Sequence, residues 1–371
     1  MFHTIVNLAY IIPNIYVFLR IWKLFINKGY KLYYTLIYVL LALIYPVSNF
    51  FSEEDSGFLA TVLMSTGNYI VPFYLYLFLF VLLFDIFLLF NGLFNIVPVE
   101  KIKSTRFKTI YLSVILIFSV LIVIAGVINF NTIRTSEYCI EISGKSSKIR
   151  HLKVAFVADF HLNEGTNIDF VERFTKRIAI IKPDLMLFGG DVVEGDREDE
   201  NMSGFEKLFR EINPRYGVFA VLGNHEYYAG QDKGSFFDKA GIKVLCDTVI
   251  VIDSSFNLAG RYDNHFRKRK NIDTLMKSVT DSLPIILIDH RPTEIEQVSM
   301  TAVDVQLSGH THNGQLFPIN LITRKIYGLS WGYRKIRGTN FFVTSGIRLW
   351  GPPVRTTGKS EIMVIDIIFT D

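Results

Sequence analysis

Cysteine is nearly missing from this chain: there are two, Cys139 and Cys246, in 371 residues. Two thiols so far apart make no disulfide framework and are expected to be unpaired. Neither stands in a CxxC spacing, which argues against a cysteine-based zinc site. A large excess of charge is missing too, since 39 Lys and Arg against 35 Asp and Glu leave a net charge of +4. A nucleic-acid binder carries a strongly basic domain or stripe, so no nucleic-acid partner is expected. No basic stretch precedes the first apolar run, and Pro13 interrupts it, which disfavours a cleaved signal peptide against a first membrane helix.

What is abundant is apolar. Hydrophobic residues make up 50% of the sequence and the mean hydropathy is +0.30, high for a wholly soluble protein. Runs approaching or reaching the roughly 20 residues needed to cross a bilayer cover about 4–19, 32–51, 68–90 and 109–130. Residues 1–130 therefore read as a four-span helical membrane region, with the bilayer as partner. Arg20, Lys23, Lys28 and Lys31 follow the first run, and Lys101, Lys103, Arg106 and Lys108 precede the fourth, whereas Glu53, Glu54 and Asp55 lie between the second and third. The positive-inside rule places both basic loops in the cytoplasm, so everything after residue 130 is expected outside it. Asp85 falls within the third run, no second buried charge is expected to accompany it, and a helix-packing or interfacial role is expected there rather than transport or proton relay.

After a polar link over 131–148, short apolar runs alternate with amphipathic helices across 149–371, the pattern of an α/β domain. Five strands are expected: 152–158, 184–188, 217–222, 284–288 and 303–308. Each is followed at once by Asp, Asn or His: Asp159 and His161, Asp191, Asn224 and His225, Asp289 and His290, His310 and His312. In between, Phe170, Val171, Phe174, Ile178 and Ile181 recur at helical spacing and read as core. Ligands bind at the carboxyl ends of strands in such sheets because the loops converge there. Five of the eight histidines fall in these five loops, so a metal site is expected.

Carboxylate, imidazole and carboxamide donors without thiolate suit Mn, Fe, Zn or Co. Seven donors are too many for one ion and fit two ions bridged by a carboxylate, a clamp for in-line displacement at phosphorus. A hydroxide between the metals is the expected nucleophile.

Asp159-x-His161, Gly190-Asp191, Gly223-Asn224-His225-Glu226, His290 and Gly309-His310-x-His312 resemble, in order, the five blocks of the calcineurin-like metallophosphoesterase superfamily. The resemblance covers roughly 152–368. It implies two packed mixed β-sheets flanked by helices, a first metal on Asp159, His161 and His312, a second on Asn224, His290 and His310, and Asp191 between them. It implies that His225 is no ligand but acts on the scissile phosphate. Gly314-Gln315 and the tail around 345–355 resemble the membrane-anchored bacterial branch, in which some members cleave lipid-linked phosphodiesters or pyrophosphates. Trp350 to Arg355 is expected as a rim loop, with Arg348 and Arg355 as candidate contacts for a second phosphate or head group. Arg267-Lys268-Arg269-Lys270 is expected as a solvated basic run. The function expected is hydrolysis of a phosphodiester or pyrophosphate in a lipid-linked or envelope substrate. The alternatives are a phosphodiesterase on soluble nucleotide-like substrates, for which the membrane part is only an anchor, and a membrane transporter or sensor whose outer domain binds metal.

Overall fold

A computed structural model describes residues 2–51, 57–163, 165–194, 200–229, 235–280 and 282–370. Its chain divides into two compact units, Met1–Ile128 with Gly351–Thr356, and Asn129–Trp350 with Thr357–Asp371. The acidic loop Glu53, Glu54 and Asp55 lies outside the described residues.

The first unit is helical: α1 (Phe2–Leu24), α2 (Lys31–Ser48), α3 (Phe58–Phe94), the short α4 (Val99–Lys103) and α5 (Thr105–Asn131). Uninterrupted apolar side chains favour helices here because only a helix satisfies its own backbone hydrogen bonds away from water. Among the described residues three helices are long and apolar enough to cross a membrane, Lys28–Ser48, Phe58–Phe94 and Thr105–Asn131, against four expected. The first expected span is helical as α1 but is not among the three, and it is the shortest apolar run, with Asn14 and Arg20 inside the helix.

The helices alternate in direction. Tyr10 donates from its hydroxyl to the Ala42 carbonyl at 2.9 Å and Tyr34 to that of Phe18 at 3.1 Å, which sets α1 antiparallel to α2. The rings of Tyr111 and Phe84 lie 4.2 Å apart and those of Phe118 and Phe80 6.4 Å, so α5 runs against α3. Close approach of α2 and α3 needs Gly67, where a Cβ would meet the Ser48 Oγ at 2.5 Å. Gly351–Thr356, which overlaps most of the expected rim loop Trp350 to Arg355, is grouped with this unit, and a Cβ on Gly126 of α5 would strike Val354 at 2.5 Å.

Asp85 is not alone. Both oxygens of its carboxylate accept from the Arg20 guanidinium of α1, one of them from Nε at 2.7 Å, and Tyr16 donates to it as well. Arg20 reads in the sequence as a loop residue because the apolar run ends before it, but α1 continues to Leu24 and carries it into the bundle.

Among its described residues the second unit holds twelve strands: β1 (Ile133–Ser143), β2 (His151–Val157), β3 (Leu185–Phe188), β4 (Val218–Ala220), β5 (Lys243–Val244), β6 (Thr248–Ile252), β7 (Phe256–Gly260), β8 (Ile285–Ile288), β9 (Val305–Ser308), β10 (Gly332–Ile336), β11 (Thr339–Val343) and β12 (Ser360–Thr370). They form two six-stranded mixed sheets, ordered β1-β12-β2-β3-β4-β5 and β10-β11-β9-β8-β7-β6. Strand β1 occupies most of the stretch expected as a polar link and runs parallel to β12 from Ile133 opposite Ser360 to Ser143 opposite Thr370.

The sheets pack face to face over a shared core in which Phe156, Leu187 and Val221 of one meet Leu258, Ile286 and Leu307 of the other. Helix α6 (Ile168–Ile181) covers the outer face of the first sheet with Phe170, Val171, Phe174 and Ile178, all buried. Each such side chain contributes about 1.5–3 kcal/mol. The helix ends at Lys182 in the left-handed conformation, a common helix C-terminal turn, just before Pro183, which cannot continue a helix.

Candidate metal centre

The five expected strand ends do converge. Val157 of β2 gives way within four residues to Asp159 and His161, whose backbones turn to positive φ, 60° and 49°. Asp191, His310 and His312 do the same at 51°, 69° and 46°. Each non-glycine residue in that region costs on the order of 1 kcal/mol or more and persists only where its surroundings impose it. Glu226 supplies much of that imposition. Fully buried, its carboxylate accepts the backbone N–H groups of Asp191 at 2.9 Å, Val192 at 2.6 Å, Val193 at 3.1 Å and Gly223 at 2.7 Å. Two glycines are forced by close approach: a Cβ on Gly223 would lie 2.1 Å from Asp191 Oδ1, and one on Gly309 2.8 Å from Asp159 Oδ2.

The ligand-type atoms gather in overlapping groups. Asp159, His161 and His312 form one triad and Asp191, His290 and His310 another, with all atoms of a triad within 4.8 Å of one another. A third, His161, Asp191 and His225, overlaps both. His161 Nε2 lies 3.2 Å from His312 Nε2, a distance at which the two nitrogens share either a proton or a cation. His290 Nε2 stands 3.1 Å from Asp191 Oδ2 and 3.3 Å from Asn224 Oδ1. Its Nδ1 is 2.7 Å from the Gly189 carbonyl; a carbonyl only accepts, so Nδ1 carries the hydrogen and Nε2 turns towards the cluster.

Burial shapes the electrostatics. It would raise the Asp191 carboxyl, but the His290 imidazole outweighs it and holds Asp191 well below the usual carboxylate range. Burial likewise opposes charge on His290, and Asp191 overrides it, pushing His290 up to about 10. His310, buried and facing His290 and Arg291, is held down to about 3 and stays neutral. Asp159 is raised to about 6, chiefly by burial. A metal ligand must be deprotonated, so a divalent cation would take the place of the proton that Asp191 and His290 share. The oxygen and imidazole donors fit such an ion and its charge.

His225 differs from its neighbours. Its backbone N–H donates to Asp191 Oδ1 at 2.9 Å, while its ring lies 6.3 Å from that of Trp350, which is partly exposed. Burial lowers its pKa. Sequence reasoning missed Glu194, which lies 2.8 Å from His161 Nδ1, within ion-pair distance though off the angle of a hydrogen bond, and 3.4 Å from His225 Nδ1. It follows Asp191 by three residues, but nothing in its spacing marks it. His265, matched to no block, is held by Tyr228, whose hydroxyl is 3.0 Å from His265 Nε2 and whose ring lies 6.0 Å from that of His225, and by Asp263, 2.7 Å from Nδ1. His151 pairs with Asp366 at 2.8 Å, on the first sheet.

Of the candidate arginines, Arg348 adjoins the cluster through its backbone, whose N–H donates to the Asp159 carbonyl at 3.0 Å. Arg348 lies over the rings of Phe170 and Phe130 at 5.2 and 5.5 Å, and burial lowers its pKa to about 10. Arg355 is fully buried and falls in the helical unit. Half of the basic run is structural rather than solvated: Arg269 donates to both oxygens of Asp289 at 2.9 and 2.7 Å, and the backbone N–H of Lys270 donates to Asp247 at 2.6 Å. Cys139 and Cys246 are not joined in a disulfide.

A family model described as calcineurin-like phosphoesterase matches residues 152–314. An "uncharacterized metallophosphoesterase" of Aquifex aeolicus is 32% identical over 243 residues, 63% of this chain and 92% of that protein. One of Helicobacter pylori is 33% identical over 229 residues, 59% of this chain, and the match spans only 60% of the relative's length. A zebrafish "transmembrane protein with metallophosphoesterase domain" is 25% identical over 281 residues, 71% of this chain and 63% of that protein. With these likenesses, the chain belongs to the calcineurin-like phosphoesterase family, and ahead of its α/β unit it carries helices long and apolar enough to cross a membrane.

Proposed function

We propose that this protein is a binuclear metal-dependent phosphodiesterase or pyrophosphatase acting on a lipid-linked or envelope substrate. The observation that carries the reading is the position of Asp191, which shares one triad with His290 and His310 and another with His161. Asp159, His161 and His312 would hold one ion and Asn224, His290 and His310 the other, with Asp191 available to both sets; such ions would supply a water of lowered pKa as the nucleophile. His225, anchored through its backbone to Asp191 yet edging towards Trp350, hydrogen-bonds the phosphoryl oxygen or gives a proton to the leaving oxygen. Glu194 orients the imidazoles of His161 and His225.

The lipid half rests on the helices of the same polypeptide. With α1 counted as a crossing beside the three longer spans, alternating helices bring Lys23, Lys28 and Lys31 to the same side as Lys101, Lys103, Arg106 and Lys108, which the positive-inside rule makes cytoplasmic. The α/β unit then lies on the opposite, extracytoplasmic side. Arg20 drops out of that tally, being paired with Asp85.

The full chain in detergent, loaded with manganese, is expected to hydrolyse bis(p-nitrophenyl) phosphate and to convert phosphodiester or pyrophosphate signals of envelope lipid extracts into phosphomonoester signals in phosphorus NMR. Undiminished turnover in Asp191→Ala and His310→Ala would defeat the site assignment, and activity on the aryl ester with none on the lipids would defeat the lipid assignment alone.

A further inference from the structure

Between Asp304 and Glu361 the sequence holds no Asp or Glu at all, yet it carries eight Lys or Arg. Within that acid-free stretch lies the helix Ile319–Tyr327, which buries none of its side chains. Ile319, Ile322 and Ile326 recur at helical spacing and are 41, 60 and 70% exposed, with Phe317 just ahead of them at 49%. A helix on a globular surface normally turns its apolar stripe inwards; this one turns it out. Arg324 and Lys325 flank the stripe on the helix, and Arg334 and Lys335 are exposed on β10, next to the exposed Tyr333.

An apolar stripe bordered by cations and an aromatic residue suits the boundary between lipid head groups and acyl chains. The same polypeptide has helices long and apolar enough to cross a membrane, so lipid is always within reach. A second copy fits poorly. In a two-fold contact the patch would meet itself, bringing four cations against four, with Glu294 and Glu296, which line the same cavity as Lys325 and Arg334, offsetting them only in part.

The helix is also tied to the metal centre. It follows directly on the loop of His310 and His312, a Cβ on Gly314 of that loop would meet the Asn320 backbone at 2.5 Å, and the Tyr327 ring lies 6.0 Å from that of His310.

We infer that Phe317 and the helix Ile319–Tyr327 form a membrane-docking surface that takes anionic lipid and holds the His310–His312 loop against the bilayer, within reach of a phosphoester carried by a lipid. The choice of lipid-borne substrate rests on the function proposed above; the docking itself does not.

The test uses the full chain in nanodiscs containing phosphatidylglycerol, with Ile326→Cys in a Cys139→Ser, Cys246→Ser background and an NBD label on the new thiol. Ile180→Cys on α6, also strongly exposed, is the control. The label at 326 is expected to emit to the blue of the label at 180 and to be quenched severalfold more by lipids brominated in the acyl chain. Equal emission and quenching at both sites overturns the docking, and so does a blue shift without bromolipid quenching, which would mean that protein covers the helix. A second measurement separates the two claims. Ile322→Ser with Ile326→Ser is expected to lower hydrolysis of a lipid-borne phosphodiester about tenfold and to leave that of bis(p-nitrophenyl) phosphate unchanged; equal loss on both substrates overturns the role in substrate access. Bromolipid quenching without any lipid hydrolysis leaves the docking standing and removes only the proposed substrate.

Discussion

Arg20 with Asp85 in the helical unit and His290 with Asp191 in the α/β unit are both cation–carboxylate pairs withdrawn from water, and they are built to opposite ends. In the first, the guanidinium and the Tyr16 hydroxyl turn onto the same carboxylate, the planar fork meets both oxygens, and the pair closes on itself. In the second, the imidazole is fixed from behind by Gly189 while its other nitrogen faces Asp191 and Asn224, and Asp191 reaches on to a second group of donors. Burial of charge therefore does not mark the functional site by itself. Donor atoms that converge from different strands, on backbone held in costly conformations, mark it.

The comparison can be broken most severely at Asp191. Asp191→Ala is expected to lower manganese-dependent hydrolysis by at least about a thousandfold, equivalent to about 4 kcal/mol of transition-state stabilisation. Removing either partner of the Arg20–Asp85 pair should leave turnover of a soluble aryl ester intact. Steady-state kinetics on the three variants check both statements, and a matching loss in Arg20→Ala would erase the distinction.

His225→Ala comes next, with an expected fall in kcat of about 10²–10⁴ and unchanged metal content by mass spectrometry; loss of bound metal would make His225 a ligand instead. Glu194→Gln should weaken metal affinity or activity by about 10–100-fold, the usual cost of removing a partner that orients a ligand, and a wild-type metal titration would show that Glu194 orients nothing. The smallest effect is expected in the membrane. Arg20→Ala leaves a carboxylate without its cation and should destabilise the helical unit by about 1–3 kcal/mol, less than a fully buried pair because both groups are partly exposed. Removing Asp85 as well should restore much of that, as thermal unfolding in detergent would report; a double variant no more stable than the single one would mean the pair is not the source.

Sequence alone makes the functional unit more legible than the helical one. Each block of the metal centre is local, a strand followed at once by its donor, and the stripe of α6 is a plain helical period. What escapes is long-range. Strand β1 reads as a polar link because Arg134, Ser136, Glu137 and Glu141 dominate its composition, and its partner β12 lies more than two hundred residues away. Arg20 and Asp85 are 65 residues apart, and the apolar run ends before the helix does. Glu194 belongs to no motif, and its meaning comes only from the two imidazoles it faces. Nothing in the sequence around Trp350 to Arg355 shows that Val354 packs on α5. Arg269 looks solvated within a basic run, yet Asp289 at the end of β8 holds it.

The central claim is that Asp191 joins two metal ions in one centre, and electron paramagnetic resonance of the manganese-loaded full chain tests it most directly. The account predicts two manganese ions per chain with an exchange-coupled spectrum, and collapse of the coupling in Asp191→Ala. A simple six-line signal from isolated ions in the wild type, or coupling that survives in Asp191→Ala, would contradict it.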